Sequence, residues 1–312
     1  MMLNQLNKFV INQVGKGACF GTFGELLQGV DAKSGFDFLV TLPIDKYSWA
    51  EFIPDLSNQL EVIPEYKQKS ILLATRLLKY FNLPLSGKLI IQSNLPMGKG
   101  LASSSADLVA TARAIQSAYD FELPIKLLQK FLKEIEPTDG VMYSGIVSFY
   151  HREVQIKEMF GSIPPLTIVA IDEGGEVNTI NYNNEKKPIN FKDKLEYTQL
   201  NNKLKIAIQE QDVRAIGKVA TRSAIMNQKR LEKRSLNHFL QISEQFNTLG
   251  ITVAHSGTFI GLMLWQQDKD YNNKLRQVTE KLEKKYGEVH VFSTLSNTKS
   301  YTEEIIKSLP GG

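Results

Sequence analysis

The sequence has few of the features that mark secreted, membrane-bound or nucleic-acid-binding proteins. Cys19 is the single cysteine in 312 residues, so no disulfide can form within the chain, and we expect a reducing, cytoplasmic compartment. No run of apolar residues reaches the roughly 18 that a membrane-spanning helix needs. Residues 1–8 alternate apolar and amide side chains, unlike a signal peptide. We therefore expect neither an export signal nor a membrane partner.

An excess of one charge is missing as well. The chain has 37 Lys and Arg against 33 Asp and Glu, and its basic residues alternate with acidic ones, as in residues 281–285. A surface that follows a nucleic-acid backbone needs a basic cluster, so we expect no nucleic acid partner. There is no internal repeat or low-complexity tract, and 42% hydrophobic residues are enough for a sizeable core.

Hydrophobic patterning predicts an α+β protein. Short runs rich in Val, Ile and aromatic residues predict strands, and apolar residues at helical spacing predict helices. The predicted strands are 9–15, 37–43, 46–53, 88–93, 145–150, 153–159, 166–171, 252–255, 259–264 and 289–292. The predicted helices are 69–81, 104–119, 124–135, 195–227, 231–249 and 270–286.

The best candidate for a domain boundary is Gly161-Ser-Ile-Pro-Pro165. Paired prolines continue neither a helix nor a central strand. We therefore predict an N-terminal domain over residues 1–160 and a C-terminal domain over 161–312. The element order of the second domain favours a small antiparallel sheet with helices on one face.

A glycine-rich loop joins strand 88–93 to helix 104–119 and predicts an anion site. Gly98 and Gly100 let the backbone approach a phosphate, and the first N–H groups of the helix have no internal partner. Ser103, Ser104 and Ser105 add hydroxyls that can bond phosphate oxygens or ligate Mg²⁺. An alternative is that Ser104-Ser-Ala-Asp107 is a capping box that only starts a helix. Capping, however, requires neither the two glycines nor three consecutive serines.

Three glycine-rich segments, in this order and spacing, resemble the motifs of the GHMP kinase superfamily. They are Gly21-Thr-Phe-Gly-Glu-Leu-Leu-Gln-Gly29, Pro96-Met-Gly-Lys-Gly-Leu-Ala-Ser-Ser-Ser-Ala-Asp107 and Ala254-His-Ser-Gly-Thr-Phe-Ile-Gly-Leu-Met263. The resemblance covers nearly the whole chain. It implies a two-domain GHMP kinase fold, with a ribosomal protein S5-like N-terminal domain and a ferredoxin-like C-terminal domain, and it implies ATP and Mg²⁺ as cofactors.

Within that superfamily the motifs are most similar to the L-threonine kinases. Four segments carry this closer resemblance: Gly24-Glu-Leu-Leu-Gln-Gly29, Gly98-Lys-Gly-Leu-Ala-Ser103, Glu136-Pro-Thr-Asp-Gly-Val-Met-Tyr143 and Ala254-His-Ser-Gly-Thr258. It implies phosphorylation of L-threonine to L-threonine O-3-phosphate for the aminopropanol arm of cobalamin. Other small alcohols, such as homoserine, a sugar or an isoprenoid alcohol, remain open as acceptors, as does a nucleotide-binding homologue without turnover. We expect a monomer or a homodimer.

The resemblance also implies roles for individual residues. Asp139 would be the catalytic base, although Pro-Thr-Asp-Gly is also an ordinary turn. Mg²⁺ would bind Ser104 and Glu136, with Glu134 as the rival carboxylate. Glu25, Gln28, Ser256 and Gly257 would contact the acceptor, with Glu25 on an ammonium group and Arg222 as one candidate for a carboxylate. ATP would be held by the loop residues Pro96, Gly98, Lys99, Gly100, Leu101, Ala102, Ser103, Ser104 and Ser105.

One position departs from the family pattern. Some GHMP kinases pair the catalytic aspartate with a lysine of the first motif, where this chain has Cys19. Assistance by a lysine is therefore not expected from this motif. A buried cysteine behaves mostly as a small hydrophobic residue.

Overall fold

The computed structural model describes residues 13–175 and 189–296. Within the described residues, the N-terminal half contains six strands and three helices. In chain order these are β1 (Gly15–Val30), β2 (Asp37–Ile53), β3 (Leu60–Ile63), α1 (Gln68–Tyr80), β4 (Gly87–Ser93), α2 (Ser103–Tyr119), α3 (Ile125–Lys133), β5 (Ile146–Tyr150) and β6 (Gln155–Gly161).

The C-terminal half adds four strands and four helices within the described residues. They are β7 (Leu166–Asp172), α4 (Phe191–Gln209), α5 (Val213–Asn227), α6 (Leu236–Gln245), β8 (Gly250–Val253), β9 (Phe259–Trp265), α7 (Tyr271–Tyr286) and β10 (His290–Ser293). None of the helices in the described part of the chain is long and apolar enough to cross a bilayer.

The ten strands form one sheet across both halves. The order is β10-β7-β9-β8-β1-β2-β4-β3, with β5 pairing with β2, and β6 with β5. All pairs are antiparallel except β3 and β4. The two halves meet between β1 and β8 at a single aligned pair, Glu25 and Val253. The predicted α+β class is confirmed, whereas the predicted domain boundary after residue 160 stays a prediction.

Most predicted elements agree with the structure to within a few residues, but the first motif does not. The sequence predicts no strand over residues 21–29, yet Glu25 and Gln28 lie in β1, a strand of 16 residues. Three register shifts between Phe20 and Leu27 bend this strand, and such bulges hide the regular alternation by which a strand is recognised. Residues 37–43 and 46–53 also form one strand rather than two. The strand predicted over 9–15 lies mostly outside the described residues.

The long helix predicted over 195–227 is divided in the structure. It breaks at Gln211, which has a φ of 58°, and the Asp212 side chain caps the following helix by accepting from Ala215 N. An aspartate N-cap satisfies one of the free N–H groups at a helix start. The helix predicted over 231–249 is shorter than expected and spans only α6.

A row of alanines brings helix α2 unusually close to strand β1. Ala110, Ala114 and Ala118 recur every four residues and therefore share one face of the helix. A Cβ on Gly15 would lie 2.0 Å from Ala114 O, and one on Gly17 would lie 2.2 Å from Ala110 O. Because neither partner carries a bulky side chain, the helix rests on the strand backbone. This contact fixes where the helix N-terminus lies.

Gly24 provides a direct test of how closely the two halves approach. It has a φ of 48°, and a Cβ there would lie 2.3 Å from Val253 O. We expect Gly24→Ala to lower the free energy of unfolding by about 2–5 kcal/mol, the sum of a left-handed conformation and overpacking against fixed backbone. Urea denaturation monitored by circular dichroism measures the change.

Gly35→Ala is the matched control. Gly35 has a φ of 73°, but nothing lies within 4 Å of an added Cβ. Gly35→Ala should lower the free energy of unfolding only by the cost of the left-handed conformation, about 1–2 kcal/mol. Equal losses for the two variants would show that the backbone approach at Gly24 is not tightly packed.

Candidate active site

The three glycine-rich segments meet through their backbones. Strand β1 holds the loop at 96–102 by two hydrogen bonds, from Thr22 N to Leu101 O at 3.2 Å and from Gly24 N to Gly100 O at 3.1 Å. The segment at 254–258 approaches from the other side, and Thr258 N donates to Lys99 O at 3.2 Å. The loop between β4 and α2 is therefore clamped between the N-terminal and C-terminal halves.

Glycine is required at the centre of this junction. Gly100 has a φ of 81°, and a Cβ on it would lie 2.6 Å from the Cβ of Ala254. A Cβ on Gly257 would lie 2.1 Å from Lys99 O. The buried ammonium of Lys233 donates to Gly257 O and so stabilises the junction. Burial lowers the pKa of Lys233 to about 8.

The N-terminus of helix α2 has no side-chain cap. Its N-cap position is Ala102, in the left-handed conformation with a φ of 57°, and no side-chain cap hydrogen bond forms there. The capping-box alternative is wrong, because buried Asp107 instead bonds Lys67 Nζ and Ser48 Oγ, each at 2.5 Å. The first N–H groups of the helix therefore remain available to an anion.

A cavity of about 350 Å³ opens at this helix N-terminus. Carboxylates, cationic side chains and the loop backbone all face it. Its wall consists of Glu25, Gln28, Leu39, Lys69, Gly98, Gly100, Leu101, Ala102, Ser103, Ser104, Ser105, Ile135, Glu136, Pro137, Thr138, Asp139, His151, Arg152 and Ser256.

Most, but not all, of the residues predicted for the site line this cavity. Pro96, Lys99 and Gly257 are not part of its wall. Lys99 lies 2.7 Å from Asp172 Oδ2 and donates to Gly175 O at 2.8 Å, which directs its charge to the C-terminal half. Arg222 is also outside the cavity and forms an ion pair with Glu196, with Nε 2.5 Å from Oε1.

Asp139 faces the cavity from a turn after helix α3. The turn is fixed by Thr138 N, which donates to His151 O at 3.1 Å. The Ser105 hydroxyl accepts from Asp139 N at 3.1 Å and donates to Asp139 Oδ2 at 3.3 Å. Burial, together with the carboxylates of Glu25 and Glu136, raises the pKa of Asp139 to about 7, although the Ser105 hydrogen bond acts to lower it. Asp139 is thus a carboxylate that can take up a proton near neutral pH.

Glu136 and Ser104, the pair predicted to ligate Mg²⁺, are in direct contact. The Ser104 hydroxyl donates to Glu136 Oε1, and Lys69 binds the other oxygen, Oε2. The rival Glu134 turns away, because it pairs with Arg76 at 2.5 Å and is not part of the cavity wall.

The donor set at Ser104 and Glu136 fits a hard cation. The described residues contain no group of three or more His, Cys, Asp and Glu placed to hold a metal ion on their own. Mg²⁺, however, keeps several waters and needs only one or two protein oxygens beside phosphate. One hydroxyl and one carboxylate at the helix N-terminus satisfy that requirement.

A buried chain of polar groups supports Glu25. Glu25 Oε2 accepts from His255 N at 3.1 Å and pairs with His255 Nδ1 at 2.8 Å. His255 Nε2 lies 2.8 Å from the hydroxyl of Ser223, which in turn accepts from Gln28 N at 3.2 Å. His255 thus points into the core, while its neighbour Ser256, in the same turn after β8, lines the cavity.

Cys19 is buried and chemically silent. Burial raises the pKa of its thiol to about 12, so the group is neutral. Its Sγ lies 3.5 Å from Val141 O and is not part of the cavity wall. No cation is therefore supplied from this position.

Three cavity residues with charged or titratable side chains were not predicted from the sequence. Lys69 lies in the first turn of helix α1, and His151 and Arg152 follow directly after strand β5. None of them belongs to a glycine-rich segment. Their only sequence signal is a charged or titratable side chain at the end of a predicted element, which is too common to single them out.

Comparison with known proteins agrees with this geometry. Residues 69–149, which contain the loop and Asp139, match the family model described as the GHMP kinases N terminal domain. A mevalonate kinase from L. major has the same fold, with a TM-score of 0.67, 18% identity and coverage of 92% of this chain and 97% of its own. A homoserine kinase from Cytophaga hutchinsonii gives a TM-score of 0.66 at 15% identity, over 91% of this chain and 96% of its own. The fold is that of the GHMP kinases.

Sequence similarity then extends to particular relatives. An L-threonine kinase from Salmonella typhimurium is 28% identical over 86% of this chain and 89% of its own length. An L-threonine kinase from Citrobacter freundii is 28% identical over 84% of this chain and 91% of its own. The resemblance to the GHMP kinase superfamily, and within it to the L-threonine kinases, is confirmed.

The raised pKa of Asp139 predicts a pH-dependent penalty on stability. Between the ordinary pKa of 3.8 and the folded value of about 7, the unfolded chain has lost a proton that the folded chain keeps, so stability falls as pH rises through this window. Asp139→Asn removes the penalty. Its free energy of unfolding relative to the parent should therefore rise by on the order of 2 kcal/mol between about pH 5.5 and about pH 8.5.

Urea denaturation at both pH values measures this difference. Asp120→Asn is the control, because Asp120 is exposed at the end of helix α2 and asparagine also adopts its left-handed conformation. A stability difference between Asp139→Asn and the parent that does not change with pH would contradict the raised pKa.

Proposed function

We propose that the chain is an ATP-dependent kinase that phosphorylates the side-chain hydroxyl of L-threonine. The observation that carries this proposal is the position of Asp139, which faces one cavity together with the uncapped N-terminus of helix α2. Similarity to two L-threonine kinases over most of their length supports the choice of acceptor. The product would be L-threonine O-3-phosphate, which would serve the aminopropanol arm of cobalamin in the cytoplasm.

The phosphates of ATP would lie on the loop that precedes helix α2. Glycines with positive φ at Gly98 and Gly100 expose the loop backbone, and the helix N-terminus favours negative charge. The Ser103 hydroxyl and the backbone N–H groups of Ser104 and Ser105 would donate to phosphate oxygens, since the hydroxyls of Ser104 and Ser105 donate to Glu136 and Asp139. Lys69, held beside Ser104 on the same carboxylate, would add a positive charge. Mg²⁺ would be held by Ser104 and Glu136 and would neutralise phosphate charge when bound.

Asp139 would accept the proton of the acceptor hydroxyl. The acceptor oxygen forms a bond to the γ-phosphorus as the bond to the β–γ bridging oxygen breaks, so ADP leaves and the hydroxyl proton passes to Asp139. Phosphoryl transfer asks the protein mainly for positioning and charge neutralisation. The Ser105 hydroxyl contributes positioning, because it holds both the backbone and the carboxylate of Asp139.

The acceptor would lie beside strand β1. Glu25, Gln28 and Ser256 line the cavity and would contact it, with Glu25 facing its ammonium group. Gly257 would act through the backbone junction described above rather than by direct contact with the acceptor. The active form would be a monomer or a homodimer.

Release of ADP from Mg-ATP in the presence of single alcohols tests the function. We expect L-threonine to be the preferred acceptor over homoserine, galactose and mevalonate. Asp139→Asn should lower the rate with L-threonine by at least about a hundredfold, the usual contribution of a general base. Release of ADP with another alcohol but not with L-threonine would show that the acceptor is that other alcohol. Release of ADP with none of the alcohols would favour a nucleotide-binding homologue without turnover. A rate unchanged by Asp139→Asn would refute the mechanism.

Variants of Glu136 and Glu134 test which of the two glutamates binds Mg²⁺. We expect Glu136→Gln to lower kcat by about a hundredfold or more and to raise the Mg²⁺ concentration needed for half-maximal rate, because a carboxylate ligand is lost. Glu134→Gln should keep kcat within about twofold of the parent, because Glu134 pairs with Arg76 outside the cavity and a partly exposed ion pair contributes little. Initial rates over a Mg²⁺ titration at fixed ATP provide the measurement. A larger loss in Glu134→Gln would reverse the assignment.

A further inference from the structure

Two buried polar atoms in the cavity wall lack hydrogen-bond partners. They are Gln28 Oε1 and His151 Nδ1, and neither has a partner within residues 13–175 and 189–296. Both side chains line the cavity, and the residues are only 5% and 6% exposed. An unpaired buried polar group destabilises the folded protein, and most such groups in native proteins are satisfied. These two atoms therefore point to a ligand that is polar at this end of the cavity.

The two atoms belong to one continuous part of the wall. Gln28 of β1 pairs with Leu39 of β2, and Leu39 pairs with Phe149 of β5. His151 lies one residue beyond the end of β5. Gln28 is also four residues beyond Gly24, where β1 holds the phosphate loop, which separates the two along the strand by on the order of 10 Å. This end of the cavity is thus distinct from the phosphate loop.

Two arginines lie beside His151. Arg152 lines the cavity with its Nε 3.0 Å from Asp37 Oδ2, and Arg230 Nη2 lies 3.6 Å from the other oxygen of Asp37. Two guanidinium groups therefore share one carboxylate. Burial is the largest cause that lowers the pKa of His151, to about 4, so the imidazole is neutral and acts only as a hydrogen-bonding group. A ligand carboxylate would fit beside the Arg152 guanidinium in the cavity wall, since arginine binds carboxylates in a planar, paired geometry.

Negative charge and a free acceptor lie on the strand β1 side. The carboxylate of Glu25 is fixed by two bonds from His255 to Oε2 and still lines the cavity. Gln28 Oε1, an acceptor, lies on the same strand three residues further on. An ammonium group has three N–H donors and no acceptor, which matches a carboxylate beside an unpaired amide oxygen.

We propose that Gln28, His151 and Arg152 determine acceptor specificity by holding a zwitterionic 2-amino acid. Arg152 and His151 bind its carboxylate, and Gln28 with Glu25 binds its ammonium group. This inference rests on the proposed kinase activity and adds the residues that select the acceptor class. It excludes sugars, which have neither charge, and hydroxy acids, which have only the carboxylate.

Paired variants and paired substrates test the assignment. Arg152→Met should raise KM for L-threonine by about tenfold to a hundredfold, the value of a lost hydrogen bond to a charged group, with kcat and KM for ATP within about threefold of the parent. The KM of Arg152→Lys for L-threonine should lie between those of the parent and Arg152→Met, because lysine keeps the charge and loses the planar pairing. Arg222→Met is the control, since Arg222 pairs with Glu196 away from the cavity; its KM should equal that of the parent.

Substrates that lack one charged group distinguish a loss of recognition from a folding defect. The parent should use L-threoninamide, which lacks the carboxylate, and 3-hydroxybutanoate, which lacks the ammonium group, at least about tenfold less efficiently than L-threonine. Arg152→Met should lose its preference for L-threonine over L-threoninamide, and Gln28→Leu its preference over 3-hydroxybutanoate. A protein that is merely destabilised would lose rate with all three substrates and keep its ratios. Unchanged preferences in both variants would overturn the proposal.

Calorimetric titration keeps this inference separate from the proposed function. Binding of L-threonine to the parent, weakened in Arg152→Met and unchanged in Arg222→Met, would support the assignment even if no phosphoryl transfer were found. Turnover of an uncharged alcohol without binding of L-threonine would support kinase activity and refute recognition of an amino acid by Gln28, His151 and Arg152. Absence of both binding and turnover would refute both.

Discussion

The approach of backbone to backbone at Gly24, Gly100 and Gly257 is the constraint on which the site depends. These glycines come from three segments far apart in the chain, and at each of them an added Cβ would lie within 3 Å of another segment's atoms. Hydrogen bonds from Thr22, Gly24 and Thr258 then fix the loop at 96–102 between the two halves. Because backbone atoms have few ways to adapt, the loop is held more rigidly than side-chain packing alone would hold it.

Electrostatics divide the cavity into functional parts. Three carboxylates converge on it, and two of them have strong partners: Glu25 is bonded by His255, and Glu136 by Lys69 and Ser104. Asp139 is bonded by the Ser105 hydroxyl, and burial, together with the charges of Glu25 and Glu136, raises its pKa to about 7. Carboxylates in one site thus acquire different properties from their neighbours, which is how an enzyme separates a base from a ligand and from a binding group.

Much of the fold could be predicted from the sequence, and part of the site as well. Helix α2 and the loop before it were predictable because glycines, serines and apolar spacing act locally. Strand β1 was not, since its bulges remove the alternation on which strand prediction relies. The bond between Glu25 and His255 joins residues 230 positions apart, and no local pattern specifies it. Lys69, His151 and Arg152 likewise reach the cavity through tertiary packing, and only the structure identifies them.

The alanine face of helix α2 has a consequence for positional precision. Because alanines recur every four residues and rest on two glycines, the nearest equivalent docking position lies one full four-residue step along the axis, about 6 Å away. Intermediate positions would place larger side chains against the strand backbone. The anion-binding end of the helix can therefore occupy only discrete positions, and thermal fluctuation cannot shift it gradually. A phosphate bound there would meet the same donors, at the same distances, in every turnover.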